Sequence, residues 1–193
     1  MKAVFPFILS ILFCPALGNI GPQGFGQFLN HYFVETGTFG GEGLEKARKV
    51  GFPELRSMEY DQRLYSEAKK RFAKHNNVRL WNGDSSTMLW SMIQDITQPI
   101  TFWLDAHVCP PRTDGGKNCP LIEELEQIKH HPIKTHTILI DDMHCAGTEL
   151  FDYLTKEDLI AKILEINPDY TIMYVTGGEE GEYPDNVMVA IIK

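Results

Sequence analysis

From Tyr32 onward, short runs of β-branched and aromatic residues alternate with stretches of helical length, and this alternation constrains the fold more than any other feature of the chain. Strands joined by helix-length crossovers pair in parallel, in a sheet that helices cover on both faces. The runs expected as strands are 32–35, 55–59, 78–81, 100–104, 137–140, 170–175 and 187–192. Between them, 43–50, 62–75, 86–96, 121–130 and 156–166 read as helices, with Asp61 and Asp84 or Ser85 placed to cap two of them. The connection 176–182 is too short for a crossover helix, so the last strand is expected to run antiparallel. The expected class is therefore α/β: a three-layer sandwich on a seven-stranded, mostly parallel sheet with an antiparallel last strand.

At 193 residues, 43% of them apolar, the chain is sized for one domain with a sizeable core. Its net charge of -8, without a Lys/Arg-rich run, lacks the basic footprint that a phosphate backbone would require, so no nucleic-acid partner is expected. Residues 1–18 stand apart: Lys2 carries the charge, the run from Ala3 to Leu12 is nearly all apolar, and Ala16 and Gly18 supply small residues for a cut after Gly18. This reads as a signal peptide preceding a single domain of residues 19–193. The run is shorter than the roughly 20 residues of a membrane span, so no stable span is expected. Cleavage would imply export to a periplasmic or secretory compartment; a helix retained on the domain would leave the chain cytoplasmic. Cys109, Cys119 and Cys145 form no C-x-x-C pair, and whether Cys109 and Cys119 bridge depends on the compartment.

In open α/β sheets ligands bind beyond the carboxyl ends of the strands. Those ends carry the chemistry of this chain. The first strand runs into Glu35-Thr36-Gly37-Thr38-Phe39-Gly40-Gly41, where glycines permit close backbone approach to a ligand at a helix start. The second ends at Glu59, 22 residues beyond Gly37 and near the interval at which an acidic side chain meets a ribose diol, with Tyr60 next to it. Asp84 and Ser85 follow the third, suited either to capping a helix or to meeting an adenine. The fourth ends in Asp105-Ala106-His107 and the fifth in Asp141-Asp142-Met143-His144. Carboxylates gathered in this way repel one another unless a cation or hydrogen bonds compensate, and oxygen donors of this kind suit Mg²⁺ or Mn²⁺. His107, His144 and Asp105 also match, less well, a two-His-one-carboxylate iron site.

This order of motifs resembles the class I S-adenosylmethionine (SAM) methyltransferases, over about residues 30 to 193. The resemblance implies a Rossmann-like fold. It also implies SAM as cofactor, held by Glu35, Gly37, Thr38, Phe39, Gly40, Glu59, Tyr60, Asp84, Ser85 and Asp105. Within that family the pattern is most similar to cation-dependent O-methyltransferases of small hydroxylated molecules, which implies Asp105, Asp141 and Asp142 as ligands of Mg²⁺ or Mn²⁺. Asp142 stands where that group often has Asn, and the lysine it commonly uses as base is missing after Asp105; His107 is the candidate base in its place. A NAD enzyme is the neighbouring alternative on such a scaffold. Because SAM is a cytosolic cofactor and the N-terminus reads as an export signal, a non-catalytic SAM- or nucleotide-binding protein is the second functional class. The partner expected is a small-molecule substrate; nothing in the sequence bears on oligomeric state.

Overall fold

The computed structural model describes residues 22–114, 116–177 and 183–192. The segment read as a signal peptide and the centre of the connection before the last strand lie outside the described residues. The elements run α1 (Pro22–Gly26), β1 (Tyr32–Thr36), α2 (Glu42–Val50), β2 (Glu54–Glu59), α3 (Gln62–Arg71), β3 (Val78–Asn82), α4 (Ser85–Ile93), β4 (Ile100–Leu104), α5 (Leu121–His130), β5 (Thr137–Ile140), α6 (Lys156–Ile166), β6 (Thr171–Gly177) and β7 (Tyr183–Ile191). Two 3₁₀ turns, Met143–Cys145 and Glu149–Phe151, lie between β5 and α6.

The seven strands form one sheet in the order β3-β2-β1-β4-β5-β7-β6. Neighbours from β3 to β5 pair in parallel, and β7 runs antiparallel between β5 and β6. The expected Rossmann-like, three-layer architecture is thus the observed one. Strand order reverses between β1 and β4, the position at which such sheets open a crevice.

Period-two alternation divides the apolar residues between two cores. Val34, Phe102, Leu104, Ile138 and Ile140 point to the face covered by α4, α5 and α6. Phe33, Trp103, Leu139 and Val189 point to the opposite face, under α1 and α2 with Phe25, Leu44 and Ala47. Because β4 is covered on both sides, Ile100–Leu104 reads as a nearly continuous apolar run instead of an alternating one.

Helix ends are set by local chemistry. The Asp61 carboxylate accepts from the Arg63 and Leu64 amides at the start of α3, and Asp84 accepts from Ser86 at the start of α4. Thr155 and Asp158 form a reciprocal capping box on α6. Helices α3 and α4 end at Arg71 and Ile93, earlier than apolar periodicity suggests, because Phe72 and Ile96 reach the core from turns. Among the described residues no helix is long and apolar enough to cross a membrane.

Candidate active site

The carboxyl ends of β1 to β5 surround a cavity of about 670 Å³, a volume suited to a cofactor-sized ligand. Gly37, Phe39, Glu59, Tyr60, Asp84 and Ser85 line one part of it, and Asp105, His107 and Asp142 another.

The turn after β1 owes its shape to two contacts. The Gly37 and Thr38 amides both donate to the Met58 carbonyl, at 2.9 and 3.2 Å, which presses the turn against β2. Gly37 has φ +81°, and a Cβ there would stand 2.2 Å from the Asp105 carbonyl oxygen, so only glycine permits this approach to the end of β4. Phe39 follows at φ 45°, held by its amide donating to Glu59 Oε2 at 2.8 Å. Glu59 Oε1 accepts from the Asp61 amide at 2.8 Å. One carboxylate therefore fixes the turns after both β1 and β2, and each of its oxygens keeps a second lone pair for a ligand hydroxyl.

Three of the residues expected in the cofactor site, Glu35, Thr38 and Gly40, do not line the cavity. Glu35 is buried and accepts from the Ser57 hydroxyl at 2.5 Å; Ser57 in turn lies 2.6 Å from the Thr38 hydroxyl. Burial, with the Glu59 and Glu42 charges adding to it, pushes the Glu35 carboxyl up to about 8. The Gly40 carbonyl accepts from Arg71 of α3.

Asp84 caps α4 and faces the cavity. Ser85 beside it covers a carboxyl that sequence reasoning missed, Glu124 of α5, which is fully buried. The Ser85 and Thr36 hydroxyls face Glu124, yet neither of its oxygens makes a hydrogen bond of good geometry, and burial pushes it up to about 7.

The expected metal and catalytic residues divide in an informative way. Asp105, His107 and Asp142 converge, one donor atom of each lying within 4.8 Å of the others. Asp141 does not line the cavity: it is buried, its Oδ1 accepts from the Asp142 amide at 2.7 Å, and its Oδ2 has no hydrogen-bond partner among the described residues. Burial and then the neighbouring carboxylates raise both Asp105 and Asp141 well above the ordinary range. Burial lowers His107 and so favours the neutral imidazole, while the Asp142 charge acts the other way. His144 does not line the cavity; its Nδ1 lies 2.7 Å from Asn186 Oδ1 and 3.7 Å from Asp142 Oδ1. Asn186, on β7, donates through Nδ2 to Asp142 Oδ1 at 3.2 Å and so orients a candidate ligand, although nothing near it in sequence pointed to the site.

The loop from Val108 to Cys119 flanks the cavity. Its base is closed by the Val108 amide donating to the Asn118 carbonyl at 2.8 Å. The Asn118 and Cys119 amides and Asn118 Nδ2 all donate to the Asp152 carboxylate at 2.9 to 3.0 Å. Arg112, paired with Asp114 at 2.7 Å, faces the Tyr60 hydroxyl, and Lys117 pairs with Glu123. Cys109, Cys119 and Cys145 are free thiols, so Cys109 and Cys119 are not bridged.

No protein-family model matches the sequence, and no curated protein sequence matches it. Solved structures are similar in fold. An O-methyltransferase of tomaymycin synthesis from Streptomyces achromogenes, in complex with SAM, is 15% identical with a TM-score of 0.60, covering 93% of this chain and 83% of its own. An O-methyltransferase from Bacillus cereus in complex with SAH is 16% identical with a TM-score of 0.59, covering 93% and 84%. An amino pentose methyltransferase from Micromonospora echinaspora, of calicheamicin biosynthesis and SAM-bound, is 13% identical with a TM-score of 0.53, covering 84% and 83%. The strand order, the parallel-to-antiparallel change at β7 and these likenesses together give the chain the Rossmann-like fold of the class I SAM-dependent methyltransferases.

Proposed function

We propose that this chain is a SAM-dependent methyltransferase that methylates a hydroxyl oxygen of a small molecule with the help of a divalent cation. The observation that carries the reading is the meeting of Gly37, Glu59, Asp84 and Asp105, each from the end of a different strand, around one cavity. The donor chemistry fits the cofactor. Glu59 has lone pairs for a ribose diol, Asp84 an acceptor for an adenine amino group, and the acidic lining suits a sulfonium cation. SAM supplies the electrophilic methyl group.

The chain's own residues do the positioning. Glu59 holds the cofactor turn in register, and Tyr60, Val108, Arg112 and Asn118 line the cavity beside it. Asp105, His107 and Asp142 lie beside the place where an acceptor hydroxyl would meet the methyl group. A divalent cation held there supplies a Lewis acid that lowers the proton affinity of the hydroxyl. Transfer is then largely a matter of alignment, which a rigid strand-end site provides.

Calorimetric titration of the chain with SAM, with NAD as control, tests the cofactor. Saturable SAM binding is expected, weakened at least ~10-fold, about 1.4 kcal/mol, in Glu59→Ala. Release of SAH on adding an ortho-dihydroxybenzene and Mn²⁺ or Mg²⁺ is the expected sign of turnover. A folded chain that binds neither ligand overturns the reading. One that binds SAM without turning over any of a panel of hydroxylated acceptors is instead a binding protein on this scaffold, a class also favoured by the leader-like residues 1–18.

A further inference from the structure

The His107 imidazole is in an unusual position. Its side chain is 7% exposed and stands between two carboxylates, with Nδ1 3.7 Å from Asp105 Oδ1 and Nε2 3.4 Å from Asp142 Oδ2. Both distances exceed those of ordinary N–H···O hydrogen bonds, and neither ring nitrogen makes one with any described residue. An Asp-His-Asp hydrogen-bonded relay would shorten at least one of the two contacts. Phe151 packs edge-on against the ring, at 5.2 Å between centroids, and limits its tilt.

The two carboxylates face opposite nitrogens of the ring, of which one can ligate an ion that the carboxylates share. One donor atom from each of Asp105, His107 and Asp142 lies within 4.8 Å of the other two. Ligands ~2.0 to 2.4 Å from a common ion are separated by up to roughly twice that distance. Asp142 is prepared for the part: it sits at φ 55°, and Asn186 occupies its Oδ1, leaving Oδ2 for the centre of the cluster. Asp141 is not, because its Oδ1 is committed to a backbone amide and it faces the interior.

We propose that Asp105, Asp142 and His107 are the protein ligands of a cation site, with the imidazole in the place the sequence suggested for Asp141, and that this set takes Mn²⁺ or a later first-row ion in preference to Mg²⁺. The metal's role in catalysis rests on the methyltransferase reading; its binding does not. The selectivity follows from the donor. Mg²⁺ demands oxygen ligands in near-ideal octahedral geometry, whereas imidazole nitrogen adds affinity along the series from Mn²⁺ onward. Three protein ligands leave open positions for two acceptor oxygens. A ligating His107 cannot also be the base, so the acceptor proton passes to another group or to solvent.

The test uses the full chain freed of metal with a chelator. Titration with Mn²⁺, followed by loss of the free-ion EPR signal, is expected to show one site, with Mg²⁺ competing at least ~10-fold more weakly. His107→Gln should weaken Mn²⁺ at least ~10-fold while His130→Gln, exposed on α5 and away from the cavity, leaves it unchanged, with circular dichroism confirming both folds. Should His107→Gln fail to fold, pulsed EPR of Mn²⁺ on the unsubstituted chain decides the matter, since a ligating imidazole produces a directly bound ¹⁴N coupling. Absence of that coupling, Mg²⁺ competing on equal terms, or no Mn²⁺ site at all overturns the proposal. SAM titration of the same sample separates the two readings: SAM binding without Mn²⁺ binding defeats this proposal and the cation's part in the function while the cofactor reading stands, and Mn²⁺ binding without SAM binding defeats only the methyltransferase reading.

Discussion

Gly37 shows how much of the site depends on a single atom. Its φ of +81° and a virtual Cβ 2.2 Å from the Asp105 carbonyl oxygen set two penalties on any replacement, backbone strain and collision with β4. Gly37→Ala is expected to lose at least about 2 kcal/mol in urea denaturation, and SAM affinity with it. A fully stable variant would show that the turn is looser than described. Glu35 makes the opposite case. With its carboxyl raised to about 8 by burial, it is neutral at pH 7, so Glu35→Gln should cost under about 1 kcal/mol there. Both residues were legible as members of a glycine-rich strand-end turn; that one faces the cavity and the other lies beneath it was not, because direction depends on which side of the sheet each strand position takes.

At the scale of elements, the parallel strands deliver the chemistry and the connections hold it in place. The order of acidic strand ends was readable because each follows an apolar run at βαβ spacing. The anchor of the 108–119 loop was not: Asp152 follows a 3₁₀ turn and lies 33 residues beyond Cys119 in sequence, and the two meet only because β5 lies beside β4. Asp152→Ala removes the acceptor of three amide donors. Trypsin should then cut after Arg112 or Lys117 at least ~10-fold faster, as expected if about 1.4 kcal/mol or more of charge-assisted hydrogen bonding is lost. Unchanged cleavage, read by mass spectrometry of the fragments, would mean that the loop is held by Asn118 and its own contacts alone.

Across the whole molecule, buried titratable groups set the pH at which the fold is most stable. His136 accepts from the Ile100 amide through Nδ1 and so presents Nε2–H to His131 Nδ1 at 3.1 Å, while His131 Nε2 meets the Ile96 carbonyl; the pair is neutral, and burial, with the His131 charge next, lowers His136 to about 3. An unfolded histidine takes up a proton near 6.5 that folded His136 refuses, so stability falls as pH drops from about 6.5 toward 3. Glu35 and Glu124 act in the other direction. Raised by burial to about 8 and about 7, they keep protons that the unfolded chain releases above about 4.5, so stability falls as pH rises toward 8. With two carboxyls acting against one histidine between about pH 4.5 and 6.5, chemical denaturation is expected to show greatest stability near pH 4.5, with slopes of roughly 1.4 kcal/mol per pH unit for each such group, and the alkaline decline should flatten in Glu35→Gln with Glu124→Gln. A profile centred near pH 8 would contradict this. The layered α/β architecture, the strand ends and the order of their acidic residues were legible along the chain, because periodicity and turn chemistry act over a few neighbours. That His107 meets Asp105 and Asp142 while Asp141 lies buried, and that Asn186, Glu124 and Asp152 stand behind them, emerged in the folded molecule, because those contacts join strands and loops whose separation in space is set by sheet order and not by distance along the chain.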